Sequence, residues 1–218
     1  MSHASKKSSL RKGKSKRRLK KSFFQRDTET VARELLGKVM CRALRNGRIL
    51  RGRVVETEAY LGLIDRACHT YGGRNTSRTN VIWGEGGHAY VYLIYGMYDC
   101  FNVVTLKKNE PEAVLVRALE PLDGDDYWEQ ELPHLKRRDW LKGPGRLCRA
   151  LQITRKLTGV PLDGPEIWFE EGEDLREKEI ASSERIGVAY AGEAAKWPLR
   201  FFVKGSEFVS GPKALNRV

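Results

Sequence analysis

The stretch of sequence that decides the fold runs from residue 38 to residue 60 and reads KVMCRALRNGRILRGRVVETEAY. Apolar and β-branched residues on both sides of Asn46-Gly47 predict two strands, over 38–44 and 48–60. The Asn-Gly pair favours a two-residue type I′ turn, because both central residues of that turn need positive φ. An antiparallel hairpin is therefore expected at the start of a sheet.

A second tight hairpin is predicted further along the chain. Residues 89–95 and 98–106 are rich in aromatic and β-branched side chains, and only Gly96-Met97 separates them. Glycine at the first central position is what a type II′ turn requires. Further strand-like runs lie at 112–119, 167–170, 186–190 and 199–204.

Helices are fewer and more dispersed. Asp27 can cap a short helix that ends before Gly37, and Gly143-Pro144 can begin a second one. Their apolar faces are Val31, Ala32, Leu35 and Leu36 in the first helix and Leu147, Cys148, Ala150 and Leu151 in the second. The polar stretch 124–142 fits either a surface helix or a loop. Because strands cluster instead of alternating with helices, the pattern predicts an α+β fold with mainly antiparallel pairing.

The composition fits one soluble domain. The chain has 218 residues, of which 40% are hydrophobic, and no run of 18 apolar residues suggests a transmembrane helix. The four cysteines form no C-x-x-C pair and no signal-peptide segment is recognisable, so a reducing compartment is expected. The four histidines form no ligand cluster, and we expect neither a metal nor a cofactor.

Much of the positive charge lies at the N terminus. The formal charge is +12, and residues 1–21 hold ten basic residues and no acidic one. We expect residues 1–22 to be a disordered basic tail and residues 23–218 to form the domain. Such a tail can displace counterions from nucleic acid, which is therefore the first partner to consider. A solubilising tail or a targeting signal remains an alternative.

Residues 84–89 (GEGGHA) match the G-x-G-x-x-A fingerprint of dinucleotide-binding proteins. That fingerprint must open a helix, whereas the residues that follow, 90–95 (YVYLIY), are typical of a strand. A loop is therefore favoured over a dinucleotide site.

Two glutamates lie on one predicted strand. Alternation places Val54, Glu56, Glu58 and Tyr60 on one face and Val55, Thr57 and Ala59 on the other. Carboxylates roughly 7 Å apart in partly apolar surroundings can have the raised pKa that general-base catalysis uses. An exposed polar face is the alternative, and alternation does not say which glutamate would act.

Arg117 is the one charged residue in the apolar run 113–119. A buried, unpaired guanidinium is strongly destabilising, so Glu58 or Glu56 on a neighbouring strand is expected to pair with it. A purely structural ion pair is an equally good interpretation.

Aromatic residues concentrate in the second hairpin. Tyr95 at its turn can project into a partner and Tyr92 can line a pocket, although packing is the ordinary role of a strand tyrosine. His69 lies in a predicted loop and would by itself be an ordinary surface histidine.

Together, these segments resemble the alkyladenine (3-methyladenine) DNA glycosylase family. The similarity extends from about residue 23 to the C terminus, and several motifs in order are more specific than any one motif. The matching segments are 51–62 (RGRVVETEAYLG), His69 with 72–74 (GGR), 90–97 (YVYLIYGM), 100–102 (CFN), 116–122 (VRALEPL), 143–144 (GP) with 147–148 (LC), 187–193 and 198–202.

The resemblance implies a single mixed domain with a curved sheet, a protruding β-hairpin and flanking helices, which flips a damaged purine nucleotide out of duplex DNA. Glu58 corresponds to the catalytic base, which deprotonates the water that attacks the sugar C1′. Arg117 corresponds to a residue that helps to hold this water. Tyr95 corresponds to the ring that fills the emptied space from the minor groove.

The remaining site residues correspond to the pocket around the extruded base. Tyr60, His69 and Tyr92 correspond to residues that contact this base, and Asn102 to the residue that disfavours normal guanine. Because no lysine falls among the corresponding catalytic positions, we expect attack by water and no Schiff base.

The implied protein is a monofunctional base-excision repair enzyme, a monomer acting on double-stranded DNA that contains alkylated or deaminated purines. We expect it in the cytoplasm or nucleoid of a bacterium, or in the nucleus of a eukaryote, and not at a membrane. Two alternatives remain: a damaged-DNA-binding module without catalysis, and an α+β domain that binds RNA or a small molecule.

Overall fold

The central element of the fold is one curved antiparallel sheet that forms a half-barrel. The computed structural model describes residues 17–216. Its eight strands are β1 (Val39–Ala43), β2 (Ile49–Tyr60), β3 (Ala89–Ile94), β4 (Tyr98–Val104), β5 (Ala113–Asp123), β6 (Ile167–Glu170), β7 (Ile180–Ser183) and β8 (Arg200–Val203). The strand order is β3-β4-β5-β2-β1-β6, and β8 pairs with both β2 and β7. The predicted α+β fold with mainly antiparallel pairing and a single domain is confirmed.

Helices cover the sheet. They are α1 (Lys21–Phe24), α2 (Thr28–Leu35), α3 (Asp125–Glu131) and α4 (Pro144–Ala150), and short 3-10 segments connect the larger elements. Asp27 caps α2 as expected, its carboxylate accepting the Thr30 amide at 2.8 Å. The predicted apolar faces of α2 and α4 are buried in the main core. Among the described residues, no helix is long and apolar enough to cross a membrane.

The turn between β1 and β2 differs from the predicted type I′ turn. Ala43 pairs with Ile49, the Leu44 amide donates to the Arg48 carbonyl, and of the loop residues only Gly47 has positive φ (82°). The Asn46 side chain accepts the Arg48 amide at 3.0 Å and so stabilises a turn in which Asn46 itself keeps negative φ. The loop therefore has three residues and ends on a glycine in the left-handed region.

The turn between β3 and β4 also has three residues, not two. Ile94 pairs with Tyr98, and positive φ occurs at Tyr95 (53°) and Gly96 (70°), so the prediction of a type II′ turn at Gly96-Met97 is wrong. The strands decide the register, because Val91 must face Phe101 in the main core. A two-residue loop would shift the pairing by one residue and bring apolar and polar side chains opposite each other.

Two irregularities interrupt the pairing of β2 with β5. The register passes from Val54 opposite Leu119 to Glu56 opposite Ala118 and then to Thr57 opposite Val116. Val55 on β2 and Arg117 on β5 are thus left without a partner in the ladder, as in β-bulges. The predicted shared face of Val54 with Glu56 is therefore wrong, since Val54 packs in the main core with Ala59.

The predicted strand 186–190 does not form. The chain turns at Gly187 (φ 81°) and enters the 3-10 segment Ala189–Lys196, and the strand in this region is β7 instead. The Ile186 amide donates to a carboxylate of β2 and not to a neighbouring strand. Within 186–190 only Val188 is buried, so the apolar residues of this run do not form the buried face of a strand.

Residues 17–22, which fall within the predicted tail, pack on the domain. Leu19 is 3% exposed, and its amide donates to the Phe169 carbonyl of β6. Arg18 lies over the Trp168 ring, and α1 begins at Lys21. The rest of the predicted tail, residues 1–16, lies outside the described residues.

The loop before β3 is as predicted. Residues 84–89 lead directly into β3 and open no helix, so they do not form a dinucleotide fingerprint.

Candidate active site

A cavity of about 990 Å³ opens beside the β3–β4 hairpin. Its walls come from β3, β4 and β5, the loop after β2, the start of α4 and the segment 186–190. Six of the seven predicted site residues line it: Tyr60, His69, Tyr92, Tyr95, Asn102 and Arg117. The seventh, Glu58, lies directly behind the wall and bonds to three residues that do line the cavity.

Glu58 is fully buried and its two oxygens have different surroundings. Oε1 accepts the Ile186 amide at 2.8 Å and lies 3.2 Å from Arg117 Nη1. Oε2 accepts the Tyr60 hydroxyl at 2.9 Å. An ionised carboxylate has about four lone-pair sites, so one site on Oε2 remains for a further donor.

Glu56 is also fully buried, but it is enclosed by two guanidinium groups. Its Oε1 accepts Arg117 Nε at 2.9 Å and Arg200 Nε at 2.7 Å, and its Oε2 accepts the Ser210 amide at 2.7 Å. Burial alone would raise the pKa of Glu56, but Arg117, Arg200 and Ser210 outweigh it and hold this pKa below its usual range. Glu56 is therefore an ionised structural anchor.

Arg117 joins the two glutamates, as its place in an apolar strand predicted. It contacts Glu56 through Nε and Glu58 through Nη1. Burial opposes its charge, yet Glu58 and Glu56 raise the pKa of Arg117 above its usual value. The two alternatives for its partner are both realised.

An aromatic cluster forms one wall of the cavity. His69 Nδ1 lies 2.9 Å from the Tyr90 hydroxyl, and the His69 ring meets the Tyr92 ring edge to face at 4.5 Å. Tyr90 and Tyr92 are stacked, with centroids 5.5 Å apart. Burial, with Arg78 and Arg74 nearby, lowers the pKa of His69 to about 4, so its imidazole is neutral near pH 7.

Asn102 and Tyr95 occupy opposite ends of the hairpin. Asn102 is buried, and its Nδ2 donates to the carbonyls of Tyr90 (3.2 Å) and Cys100 (3.3 Å). Tyr95 is 76% exposed at the tip and lines the mouth of the cavity. Basic side chains also line the cavity: Arg78, Lys142, Arg146 and Arg149.

Sequence reasoning missed a second buried ion pair behind the cavity. Arg185 and Asp65 are both fully buried, and Arg185 Nη2 donates to Asp65 Oδ1 at 2.8 Å. It also missed Arg200, although Arg200 is a lone charge in an apolar strand, the signal that singled out Arg117. Arg185 and Asp65 lie in loops and gave no comparable signal.

Within residues 17–216, no group of three or more His, Cys, Asp or Glu side chains is placed to hold a metal ion. The buried carboxylates of the site are instead paired with arginines and backbone amides.

Comparison with known proteins gives the family. The Methylpurine-DNA glycosylase (MPG) family matches residues 22–207. The chain belongs to this family. Proteins named "Putative 3-methyladenine DNA glycosylase" are 43% identical over 202 residues in Clostridium novyi (strain NT) and 47% identical over 194 residues in Methanocella arvoryzae. These matches cover 89% and 88% of this chain and 98% and 95% of the relatives.

A third relative, from Bdellovibrio bacteriovorus, has the same name and is 45% identical over 196 residues, covering 88% of this chain and 98% of the relative. Family and relatives support a DNA glycosylase that acts on alkylated bases in base-excision repair. Membership of the methylpurine-DNA glycosylase family implies that the substrate is DNA. The cavity is the candidate site of the reaction.

Proposed function

We propose that this chain, as a monomer, flips alkylated or deaminated purine nucleotides out of duplex DNA and hydrolyses their N-glycosidic bond with a water activated by Glu58. The observation that carries the proposal is the fully buried Glu58 carboxylate, held by Arg117, Tyr60 and the Ile186 amide at the back of an aromatic cavity. A carboxylate that acts as general base must lie close to the C1′ of the bound nucleotide in order to deprotonate the attacking water.

The proposed step is a displacement at C1′. The water oxygen bonds to C1′ while the bond from C1′ to the base nitrogen breaks and its electron pair stays with the base. The water proton passes to Glu58 Oε2, whose remaining lone-pair site can accept a hydrogen bond from water. Tyr60, Arg117 and Ile186, the three residues that hold Glu58, line the cavity in which the attacking water would lie.

The aromatic wall fits a cationic leaving group. Purines alkylated at N3 or N7 carry a positive charge, and a cation over an aromatic face gains about 0.5 to 2 kcal/mol. His69 is neutral near pH 7 because its pKa is lowered to about 4, so it does not repel such a base. The cationic base leaves as a neutral molecule and needs no proton, whereas a neutral lesion such as hypoxanthine needs one.

Flipping needs a group that compensates for the broken stacking. Extruding a nucleotide costs a few kcal/mol, and an aromatic wedge in the vacated space can offset this. Tyr95 supports the proposal because it is exposed at the tip of a hairpin whose other tyrosines line the cavity. Tyr95 would enter the stack while Tyr60, Tyr92 and His69 contact the base and Asn102 limits which purines fit.

The experiment is base release from an alkylated duplex under single-turnover conditions by the wild type and by Glu58→Gln. We expect Glu58→Gln to lose base release while its affinity for the lesion duplex stays close to that of the wild type. Glu177→Gln, an exposed partner of Arg33, is the matched control and should release base normally.

Equal base release by Glu58→Gln would reject Glu58 as the base. Wild-type protein that binds the lesion duplex but never frees a base would instead support the alternative of a damage-binding module. The proposal of a monofunctional enzyme predicts no covalent adduct after borohydride treatment, since Lys142, the one lysine among the described cavity residues, has its ammonium on the Glu207 carbonyl.

A further inference from the structure

The buried ion pair Arg185–Asp65 lies directly behind the residues that hold Glu58. Both side chains are fully buried, with Arg185 Nη1 2.5 Å from Asp65 Oδ2 and Nη2 2.8 Å from Asp65 Oδ1. This two-point geometry fixes the guanidinium in one plane, which a single contact would not do. Neither residue lines the cavity among the described residues, so the pair does not touch a bound base.

Arg185 connects three separate segments. Its guanidinium donates to the Ala59 carbonyl at the end of β2 (2.9 Å) and to the Ala194 carbonyl (3.0 Å), and it lies 4.7 Å from the centre of the Tyr60 ring. Asp65 fixes the loop after β2, because its oxygens accept the amides of Leu61 (3.0 Å) and Ala67 (2.9 Å). The cavity residues Ala67, Cys68 and His69 follow along this loop.

The next residue after Arg185 completes the connection to the chemistry. Ile186 donates its amide to Glu58 Oε1, and Gly187 then turns the chain with positive φ. The Ile186 amide directly follows Arg185, whose guanidinium is anchored on Ala59 and Asp65, so the ion pair restrains the movement of this amide away from Glu58. The same guanidinium supports the ring whose hydroxyl donates to Glu58 Oε2.

We propose that Arg185, held by Asp65, is a positioning residue for the reaction: it fixes the Ile186 amide and the Tyr60 ring on the two oxygens of Glu58, so that the remaining lone-pair site of Oε2 faces the cavity. This inference rests on the proposed function of Glu58 and deepens it. Removing the pair leaves Glu58 in place but frees its carboxylate to rotate, and the water no longer has a fixed acceptor.

The proposal has a signature in the pH dependence of base release. A donor on a carboxylate favours its charged form, so losing the fixed contacts with the Ile186 amide and the Tyr60 hydroxyl is expected to move the acidic limb of the rate profile to higher pH. The titratable and charged groups around Glu58 are Tyr60 on its own strand, Arg117 from β5, Tyr92 from β3, Cys100 from β4 and Arg185 itself.

The experiment compares the full-length wild type with Arg185→Lys, which keeps the charge but cannot contact Asp65 at two points or stack on Tyr60. We expect the single-turnover rate of base release from an alkylated duplex to fall about 10- to 100-fold at saturating protein. Affinity for the same duplex should change much less, and the acidic limb should move to higher pH. Arg176→Lys, at an exposed pair with Glu179, is the matched control and should behave as the wild type.

A second variant, which preserves more of the loop after β2, provides the test if Arg185→Lys does not fold. Asp65→Asn has the same shape and can still accept one loop amide, while it weakens the contact with Arg185. Circular dichroism and thermal unfolding establish that each variant is folded before its rates are compared. If Arg185→Lys is not folded, Asp65→Asn is expected to show the same shift of the acidic limb with a smaller drop in rate.

A folded variant of the pair with a lower rate and an unmoved acidic limb would overturn the positioning role and leave a merely structural one. A wild-type rate would overturn it as well. The Glu58→Gln variant separates this failure from that of the proposed function. If Glu58→Gln is inactive and the pair variants keep the wild-type profile, only the inference about Arg185 fails; if Glu58→Gln is active, the proposed function fails first.

Discussion

At the scale of single residues, Glu56 and Glu58 show how position decides the use of a carboxylate. They are two residues apart on β2 and both fully buried. Each carboxylate accepts three donors. All three partners of Glu58 (Tyr60, Arg117 and the Ile186 amide) line the cavity. Two of the three partners of Glu56, Arg200 and the Ser210 amide, do not. Glu56 is therefore suited to hold the fold together, and Glu58 to accept a proton.

Glu56→Gln should destabilise the protein. The change removes the negative charge between Arg117 and Arg200, and breaking a buried ion pair costs about 3 to 5 kcal/mol. We expect a fall of this size in the free energy of unfolding, measured with urea at pH 7. Glu177→Gln, on the surface, should change it by less than about 0.5 kcal/mol. A Glu56→Gln protein as stable as the wild type would contradict the anchoring role.

The same variant should alter the response to acid. The pKa of Glu56 is lowered in the fold, so its stabilisation is complete above its unfolded pKa of about 4.3 and is lost as the pH falls through the folded pKa. Below about pH 4.3, the stability of Glu56→Gln should therefore depend less steeply on pH than that of the wild type. Equal slopes would show that Glu56 is not the group being titrated.

At this scale the sequence is informative where one charge stands in an apolar strand. Arg117 is found this way, with its partners, and the same reasoning applied to 199–203 finds Arg200. Arg185 and Asp65 could not be found, because they meet across 120 residues of chain and lie in loops, where no periodicity says which side is buried. Tertiary packing alone brings them together.

At the scale of elements, most strands and the pairing of both hairpins were predictable, whereas the register of the strands and the strand at Ile180–Ser183 were not. The strands of both hairpins lie where apolar and β-branched residues predicted them. Both turns have three residues instead of two. In the turn between β3 and β4, the register that buries Val91 against Phe101 overrides the local preference of Gly96-Met97. The irregularities at Val55 and Arg117 depend on two strands at once, so no single-strand pattern could indicate them.

The three-residue turn makes a prediction for Tyr95. Its φ of 53° lies in the left-handed region, which costs a residue with a side chain about 1 kcal/mol or more. Tyr95→Gly should therefore leave the free energy of unfolding unchanged or raise it by up to about 1 kcal/mol. Base release from a lesion duplex should fall, since the change removes the ring that is proposed to enter the stack. Met97→Gly, in the same loop, has no such strain to relieve and should not stabilise the protein.

At the scale of the whole molecule, residues 17–22, at the end of the basic N-terminal stretch, are anchored at a defined place. Arg18 lies over Trp168 and donates to the Gly164 carbonyl at 2.8 Å, and Leu19 is buried beside β6, which ends the strand order opposite β3. Composition could not reveal this boundary, because Arg18, Leu19 and Lys20 continue the basic character of the residues before them.

Because residues 17–22 are packed on the domain, removing residues 2–16 and removing residues 2–22 are expected to have different effects. Residues 2–16 carry six Lys and Arg, and a segment of this length can span at most about 55 Å. Removing residues 2–16 should make the salt dependence of duplex binding shallower, by about 0.9 in the logarithmic slope for each phosphate that the protein no longer neutralises. Thermal unfolding and single-turnover base release at saturating protein should not change, because Arg18, Leu19 and α1 remain.

Removing residues 2–22 should in addition lower the thermal unfolding midpoint, because it takes Leu19 out of the core and uncovers β6. The shorter truncation is therefore the clean test of the charge, and the longer one of the anchor. An unchanged salt slope after removal of 2–16 would show that these residues do not contact DNA. An unchanged midpoint after removal of 2–22 would show that the buried Leu19 contributes no stability, against the about 1.5 to 3 kcal/mol expected for burying such a side chain.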